Sequence, residues 1–310
     1  MPQHAPYPVD PVLTAMALNY RNRRLIADDV CPRVPVEGVA FKYLKHDVSQ
    51  GFTVPDTQVG RRSKPNEVEY SASEETASVV DHGLDNPVPM SDIKNAPKNF
   101  DPVANGVGLT TGLIALAREV RVANMIFNAS NYGLSNKQTL SGTAQFNDFL
   151  NSSPISVITE ALDSMIMRAT EITLGQGVAS KLKRHPEILK AYNGNSGDVG
   201  IVPTAFLAEL FELDQVNVGL SLVNVSKKGE ARILNKCWGN HISLQYKEPI
   251  SSAKGGMTHC FTGEFESRFV TNTFDKNISA HGGQLVRVVE QVKELVMADD
   301  LGFLIQNAIA

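Results

Sequence analysis

Cysteine is scarce in this chain: Cys31, Cys237 and Cys260 are the three among 310 residues. They are odd in number, scattered and far from any CxxC spacing. That argues against a disulfide framework or a zinc site and for a reducing compartment. Long apolar runs are missing too. No stretch approaches the roughly 18 uncharged apolar residues of a membrane-spanning helix. The opening "MPQHAPYPVD" lacks the apolar core of a signal peptide. Charge of one sign is also lacking, since 29 basic and 33 acidic residues leave a net charge of −4. Such a balance excludes gripping nucleic acid by overall charge, although a local patch stays open.

Catalytic signatures are equally thin. "GVGLTTG" (106–112) and "GQGVASK" (175–181) have glycines but not the GxxxxGK[ST] spacing, and neither clearly joins a strand to a helix, so turn and cap roles are expected. No HExxH, HxH or EF-hand spacing supports a metal site, and no cofactor is implied. His82 and Asp85 fall in a proline-rich link, and His185 precedes Pro186 at a helix break; surface or capping roles suit all three. His259 and Cys260 are adjacent, so on a strand they point to opposite faces and cannot act as base and nucleophile. Basic "SKLKRH" (180–185) reads as a solvated helix face. Nothing here marks an enzyme.

What is present is pattern. Residues 1–36 are rich in Pro and Arg with one apolar patch around Leu13–Leu18, and they read as an arm lying on something else. Val39, Phe41 and Tyr43 alternate with Ala40, Lys42 and Leu44. Val68, Tyr70 and Ala72 alternate with Glu67, Glu69, Ser71 and Ser73. Period two is the strand signal. Between these runs Gly51, Pro55, Asp56, Gly60 and Pro65 are turn formers, so a long hairpin with a charged tip is expected. An isolated hairpin is marginal in water and needs a neighbour to rest on.

After a link at 85–102, residues 109–127 are expected to form a long amphipathic helix. Leu113, Leu116, Ala117, Val120 and Phe127 lie near one face, with Arg118 and Arg121 off it. A second helix is expected over 152–172 and shorter ones over 178–192 and 203–213. Alternation at Val216, Val218, Leu220 and Leu222, and again at Ile242, Leu244 and Tyr246, predicts strands separated by a "KKGE" turn. Residues 284–298 fit a helix by spacing but a strand by valine density. The fold class read from this is α+β.

This order of parts resembles the major capsid (head) protein of tailed bacteriophages, the Hong Kong 97-like fold. The resemblance rests on "NRRLIADDVCPRVPV" (22–36) followed by "FKYLKHDVSQGF" (41–52), on "LSGTAQFND" (140–148), and on "ITLGQGVASKLKRHPEI" (172–188). "VPTAFLAELFELDQVNVG" (202–219), "CWGNHISLQY" (237–246) and "ADDLGFLIQNAI" (298–309) complete it. It implies an N-terminal arm (1–37), an extended loop (38–78), a peripheral domain (79–153 and 263–310) with a spine helix over 103–130, and an axial domain (154–262). It also assigns 284–297 to strand.

By the same resemblance the chain assembles with itself into pentamers and hexamers of an icosahedral shell around double-stranded DNA, in the virion, after assembly in the host bacterial cytoplasm. The mild negative charge suits a wall that does not grip DNA. The family implies a portal, a decoration protein in some members, and a scaffolding function, expected here from a separate protein or a removed segment. Some members crosslink through a Lys–Asn bond, but surface ion pairs are the expected role of Lys42, Lys45 and Lys64. Expected contacts to adjacent subunits are Arg61, Arg62, Lys64, Glu67, Glu69, Glu74 and Glu75. Two other readings fit the pattern: an encapsulin-like bacterial nanocompartment shell, and a soluble α/β enzyme using arm and hairpin to dimerise.

Overall fold

The computed structural model describes residues 9–310 apart from 21, 23, 47–51, 68–71, 195–196, 198, 228 and 249–255. The chain opens with α1 (Pro11–Asn19), α2 (Ala27–Val30) and β1 (Arg33–Pro35), then a hairpin of β2 (Ala40–His46) and β3 (Ala72–Ser78). Next come β4 (Val80–Pro89), α3 (Met90–Asn95), the 25-residue α4 (Pro102–Ile126) and β5 (Lys137–Thr139). The middle holds α5 (Pro154–Ser164), β6 (Glu171–Gly175), α6 (Gln176–Leu182), α7 (Pro186–Asn193), α8 (Thr204–Phe211), β7 (Gln215–Gly219), β8 (Leu222–Asn224), β9 (Leu234–Lys236) and β10 (Ile242–Gln245). The chain closes with β11 (Cys260–Glu264), β12 (Phe269–Asp275), β13 (Gly283–Val296) and β14 (Gly302–Gln306).

Two five-stranded sheets organise these elements into the mixed class expected from the sequence. The first runs β1-β11-β13-β12, with β4 also on β13; the second runs β5-β14-β10-β6-β7. Valine density decides for strand over 283–296, where Val286, Val288 and Val292 are fully buried and Val289 lies opposite Phe269 of β12. Helices α1 and α4 cover the first sheet through Leu13, Ala17, Val107 and Ile114, which meet Val270, Val286 and Val288. The second sheet packs Ile172, Leu174, Ile242 and Leu244 against Ile158, Leu162, Leu182, Ile188 and Phe211. Strands β5 and β14, from 137–139 and 302–306, complete that second sheet.

Several expectations are corrected. The link at 85–102 is strand up to Pro89, because an edge position tolerates prolines whose nitrogens need no partner. Cross-strand pairs Arg287–Asp85 (2.6 and 2.7 Å) and Gln291–Asp81 (2.6 Å) fix its register on β13. The helix expected over 152–172 stops at Ser164. Burial between β10 and β7 takes 171–175 into the sheet, so tertiary pairing overrides the helical spacing of Met165, Ile166 and Ala169. The span 178–192 is two helices broken at His185–Pro186. The run at 216–222 splits: β7 ends at Gly219, and Leu222 begins the small β8–β9 hairpin.

Helix α4 exists as expected but is turned. Asp101 caps it, accepting from Val103 N (2.9 Å) and Ala104 N (3.3 Å), with Pro102 in the first turn. Its buried side carries Thr110, Thr111, Ile114, Arg118, Glu119, Val122 and Ile126. Leu113, expected inside, is 58% exposed, and Arg118, expected outside, is 2% exposed. The arm reverses this face, because it supplies partners for the two charged residues.

Candidate assembly surfaces

The hairpin expected from alternation is present at its root. β2 and β3 pair from Ala40↔Ser78 to His46↔Ala72. Phe41 and Tyr43 bury one face against Val34, Val79, Phe261 and Met297, with the Tyr43 and Phe261 rings edge to face at 6.1 Å. A side chain at Gly263 would meet the Phe41 ring at 2.7 Å, so the missing Cβ is what lets the ring lie on β11. The neighbour that an isolated hairpin needs is therefore the chain's own first sheet.

Beyond the root every described residue from 52 to 67 is exposed, including Phe52, Val54 and Val59. Arg61 and Arg62 are exposed in this stretch. Lys64 and Glu67 form an ion pair with each other. Glu74 pairs with Lys42 (2.6 Å), and Glu75 accepts from the Tyr43 hydroxyl (3.2 Å). Val68, Glu69 and Tyr70 lie outside the described residues. Four of the seven predicted contact residues thus have a partner within the chain.

The arm was expected to lie on something else, yet from residue 9 onward it lies on its own sheet. Asp10 caps α1 (3.0 Å to Val12 N), and the helix is clipped to β12 by Asp10 N to Val270 O (3.0 Å) and Val270 N to Thr14 Oγ1 (3.0 Å). Its outer face, with Val12, Met16 and Leu18, stays open.

Sequence reasoning missed the cluster that holds the root of the arm. Glu119, fully buried, accepts from Ile26 N (3.0 Å), Ala27 N (2.8 Å), Ser221 Oγ (3.2 Å) and Trp238 Nε1 (2.6 Å). Arg118 donates to Asp28 (2.5 Å), the Cys31 carbonyl (2.9 Å) and Thr262 Oγ1 (2.9 Å). Arg33 reaches Asp28, Glu264 and Glu290, and Arg268 holds Glu290 at 2.7 Å. Burial alone would raise the Glu290 carboxyl, but Arg33 and Arg268 hold it below the usual range. Asp28, exposed at the rim, is also lowered: partial desolvation opposes this, and the charges of Arg118 and Arg33 outweigh it. The only sequence signal was adjacency: two opposite charges, Arg118 and Glu119, in the middle of an apolar helix.

Two depressions flank this cluster. One, of about 600 Å3, lies between arm and spine helix and is lined by Leu18, Tyr20, Asp28, Ala115, Arg118 and Arg268. The other, about 480 Å3, is apolar, lined by Leu109, Leu113, Leu116, Leu220 and Leu222.

The glycine stretches are packing devices. Gly106 and Gly112 lie within α4, where a Cβ would strike Asn86 (2.6 Å) and the Tyr20 hydroxyl (2.8 Å). "GQGVASK" does join a strand to a helix, contrary to the sequence reading. However, Gly175 is capped by the carbonyls of Gly239 and Trp238, at 2.2 and 2.6 Å from a virtual Cβ, which leaves no space for a phosphate.

The histidines are structural in geometry. His185 caps α7 (Glu187 N, 3.3 Å) and meets Ser152 Oγ at 3.1 Å. His82 sits half-buried on β4 across from Glu290, and Asp85 pairs with Arg287. His259 is buried, stacked on Tyr132 at 4.8 Å, with Nδ1 2.9 Å from the Ala298 carbonyl. Burial pulls it down to about 4. Cys260 points instead to the Val30 carbonyl (3.3 Å), so the two do not act together.

No family model matches the chain. It is 51% identical over 307 residues, 99% of both chains, to the major capsid protein of Pseudomonas phage JBD67. Among solved structures it resembles a phage-related protein from Bordetella bronchiseptica RB50, with TM-score 0.77 and 23% identity over 98% of this chain and 99% of that one. It also resembles the capsid of Cyanophage P-SCSP1u, with TM-score 0.59 and 11% identity over 91% and 88%. The SrpI encapsulin of Synechococcus elongatus PCC 7942 shares the fold at TM-score 0.51 and 12% identity over 99% and 92%.

Proposed function

The chain belongs to the phage major capsid proteins, and from that premise we propose how it builds its shell. Subunits gather into pentamers and hexamers, close into an icosahedral head and enclose double-stranded DNA without reading its sequence. The likeness to an encapsulin is one of fold alone, whereas 51% identity over the full length ties the chain to a phage shell and carries this reading.

A shell protein works through repeated heterologous contacts, in which one surface of a subunit meets a different surface of the next. Two surfaces suit this role. The tip of the hairpin, exposed from 52 to 67, has no core of its own to join. Arg61 and Arg62 are its free cationic end, Lys64, Glu67, Glu74 and Glu75 exchange their internal partners for those of an adjacent copy, and Glu69 joins them there. The apolar side of α4, with Leu109 and Leu113 62% and 58% exposed, is the second. Each contact is weak alone, and the shell multiplies it. No chemical step is needed.

Deleting 48–66 tests this. The expected product is a folded, soluble subunit that forms no shells in electron micrographs. Normal particles from the deletion variant would show that the tip is dispensable.

A further inference from the structure

The scattered cysteines acquire a relation in the fold that their spacing hides. β1 and β11 run parallel with Arg33 opposite Thr262. Just before β1, Cys31 lies against β11: Thr262 N donates to the Pro32 carbonyl (2.8 Å) and Thr262 Oγ1 to the Cys31 carbonyl (3.1 Å). Both side chains are buried, at 0% and 1% exposure, in one cluster, and Cys260 Sγ lies 3.3 Å from the Val30 carbonyl. Cys237 is only half-buried, beside Ser221.

The two sulfurs are not equivalent. Burial would push the Cys31 thiol up, but the hydrogen bond from Cys260 and the charge of Arg118 bring it below its ordinary value. That same hydrogen bond, together with burial, pushes Cys260 well up. Arg118 is fixed there by its bonds to the Cys31 carbonyl and Thr262. A lowered thiol beside a protonated one is the arrangement of an attacking and a resolving cysteine. The depression lined by Asp28, Arg33 and Arg118 reaches the pair only through Arg118, whose guanidinium holds the Cys31 carbonyl.

We propose that Cys31 and Cys260 form a disulfide on oxidation, fastening the root of the N-terminal arm to the first sheet. With a peroxide as oxidant, the Cys31 thiolate sulfur attacks one peroxide oxygen. The O–O bond breaks, and the departing hydroxide takes a proton and leaves as water. Cys31 is then a sulfenic acid. The Cys260 thiol gives up its proton, and its sulfur attacks the Cys31 sulfur, expelling the hydroxyl as a second water. Two thiols and one hydrogen peroxide thus become one disulfide and two waters. The bond closes a loop from 31 to 260, which restricts the unfolded chain strongly. Subunits fold and assemble with free thiols, and the staple forms in an oxidising exterior.

The test treats the purified full-length protein with hydrogen peroxide, alkylates it in denaturant and maps its peptides without reduction. The expected result is a linked Cys31–Cys260 peptide pair and a melting temperature raised by about 5–10 °C. Dithiothreitol reverses the rise, Cys31→Ala and Cys260→Ala abolish it, and Cys237→Ala keeps it. Full alkylation of both cysteines after peroxide, a link through Cys237 or between chains, or oxidation ending at sulfonic acid would each overturn the proposal. The peptide map on the unsubstituted chain decides even where a variant fails to fold.

Discussion

Glu119 gathers four donors from three distant parts of the chain: the arm at Ile26 and Ala27, the loop at Ser221, and Trp238. Glu119→Ala strands these donors in a dry site and should cost about 3–5 kcal/mol, read as a lowered denaturation midpoint. Glu119→Gln keeps one acceptor and should lose less. His259 sets the acid limit. Its Nδ1 donates to the Ala298 carbonyl, while Nε2 is buried with no hydrogen-bond partner, so the imidazolium has nowhere to place a second proton. The folded value near 4 lies below the unfolded value of about 6.5. The unfolded chain therefore binds the extra proton first, and stability falls from pH 6.5 down to about 4, by roughly 3 kcal/mol from this group. His185 and His241 are lowered by burial and act in the same direction. The depressed carboxyls of Asp28 and Glu290 add their loss only at lower pH. His259→Phe should flatten the slope between pH 6.5 and 4, and an unchanged slope would refute this assignment.

At the scale of elements, the hairpin is anchored at its root and open at its tip. Phe41→Ala removes the ring that rests on Gly263 and should cost about 3–4 kcal/mol. Amide exchange should rise most sharply in β2 and β3. The open side of α4 predicts a different phenotype. Leu113→Glu touches no core, so melting should change by less than about 0.5 kcal/mol, while shell yield in sedimentation should collapse. A normal yield would remove that face from the contact. The sequence made β2 legible through Phe41 and Tyr43, and the later part of α4 through its helical spacing, because these signals are local; the Asp101–Pro102 start was read as link. It hid the buried side of α4, whose partners Asp28, Cys31, Ser221 and Trp238 lie far away along the chain. It hid β4 behind Pro87 and Pro89, which only an edge position excuses. Cys31 and Cys260, 0% and 1% exposed, were scattered residues until the fold laid the turn before β1 against β11 and put both in one buried cluster.

For the whole molecule, the arm, sheets and α4 form a unit that closes its own core; among the surfaces it leaves open, the hairpin tip and the leucine side of α4 are the two proposed for assembly. A small-oligomer protein has little use for both, whereas a closed shell needs at least two different complementary surfaces on each copy. With the proposed pairing of tip charges between copies, part of the contact energy is electrostatic and exposed, so assembly should weaken as ionic strength rises. The most direct measurement is electron microscopy of the full-length protein, concentrated alone and co-expressed with a candidate scaffolding protein. Closed shells of uniform diameter, with fivefold and sixfold clusters on their surface, are the predicted result. Monomers or small oligomers under both conditions, with no closed particle, would contradict it.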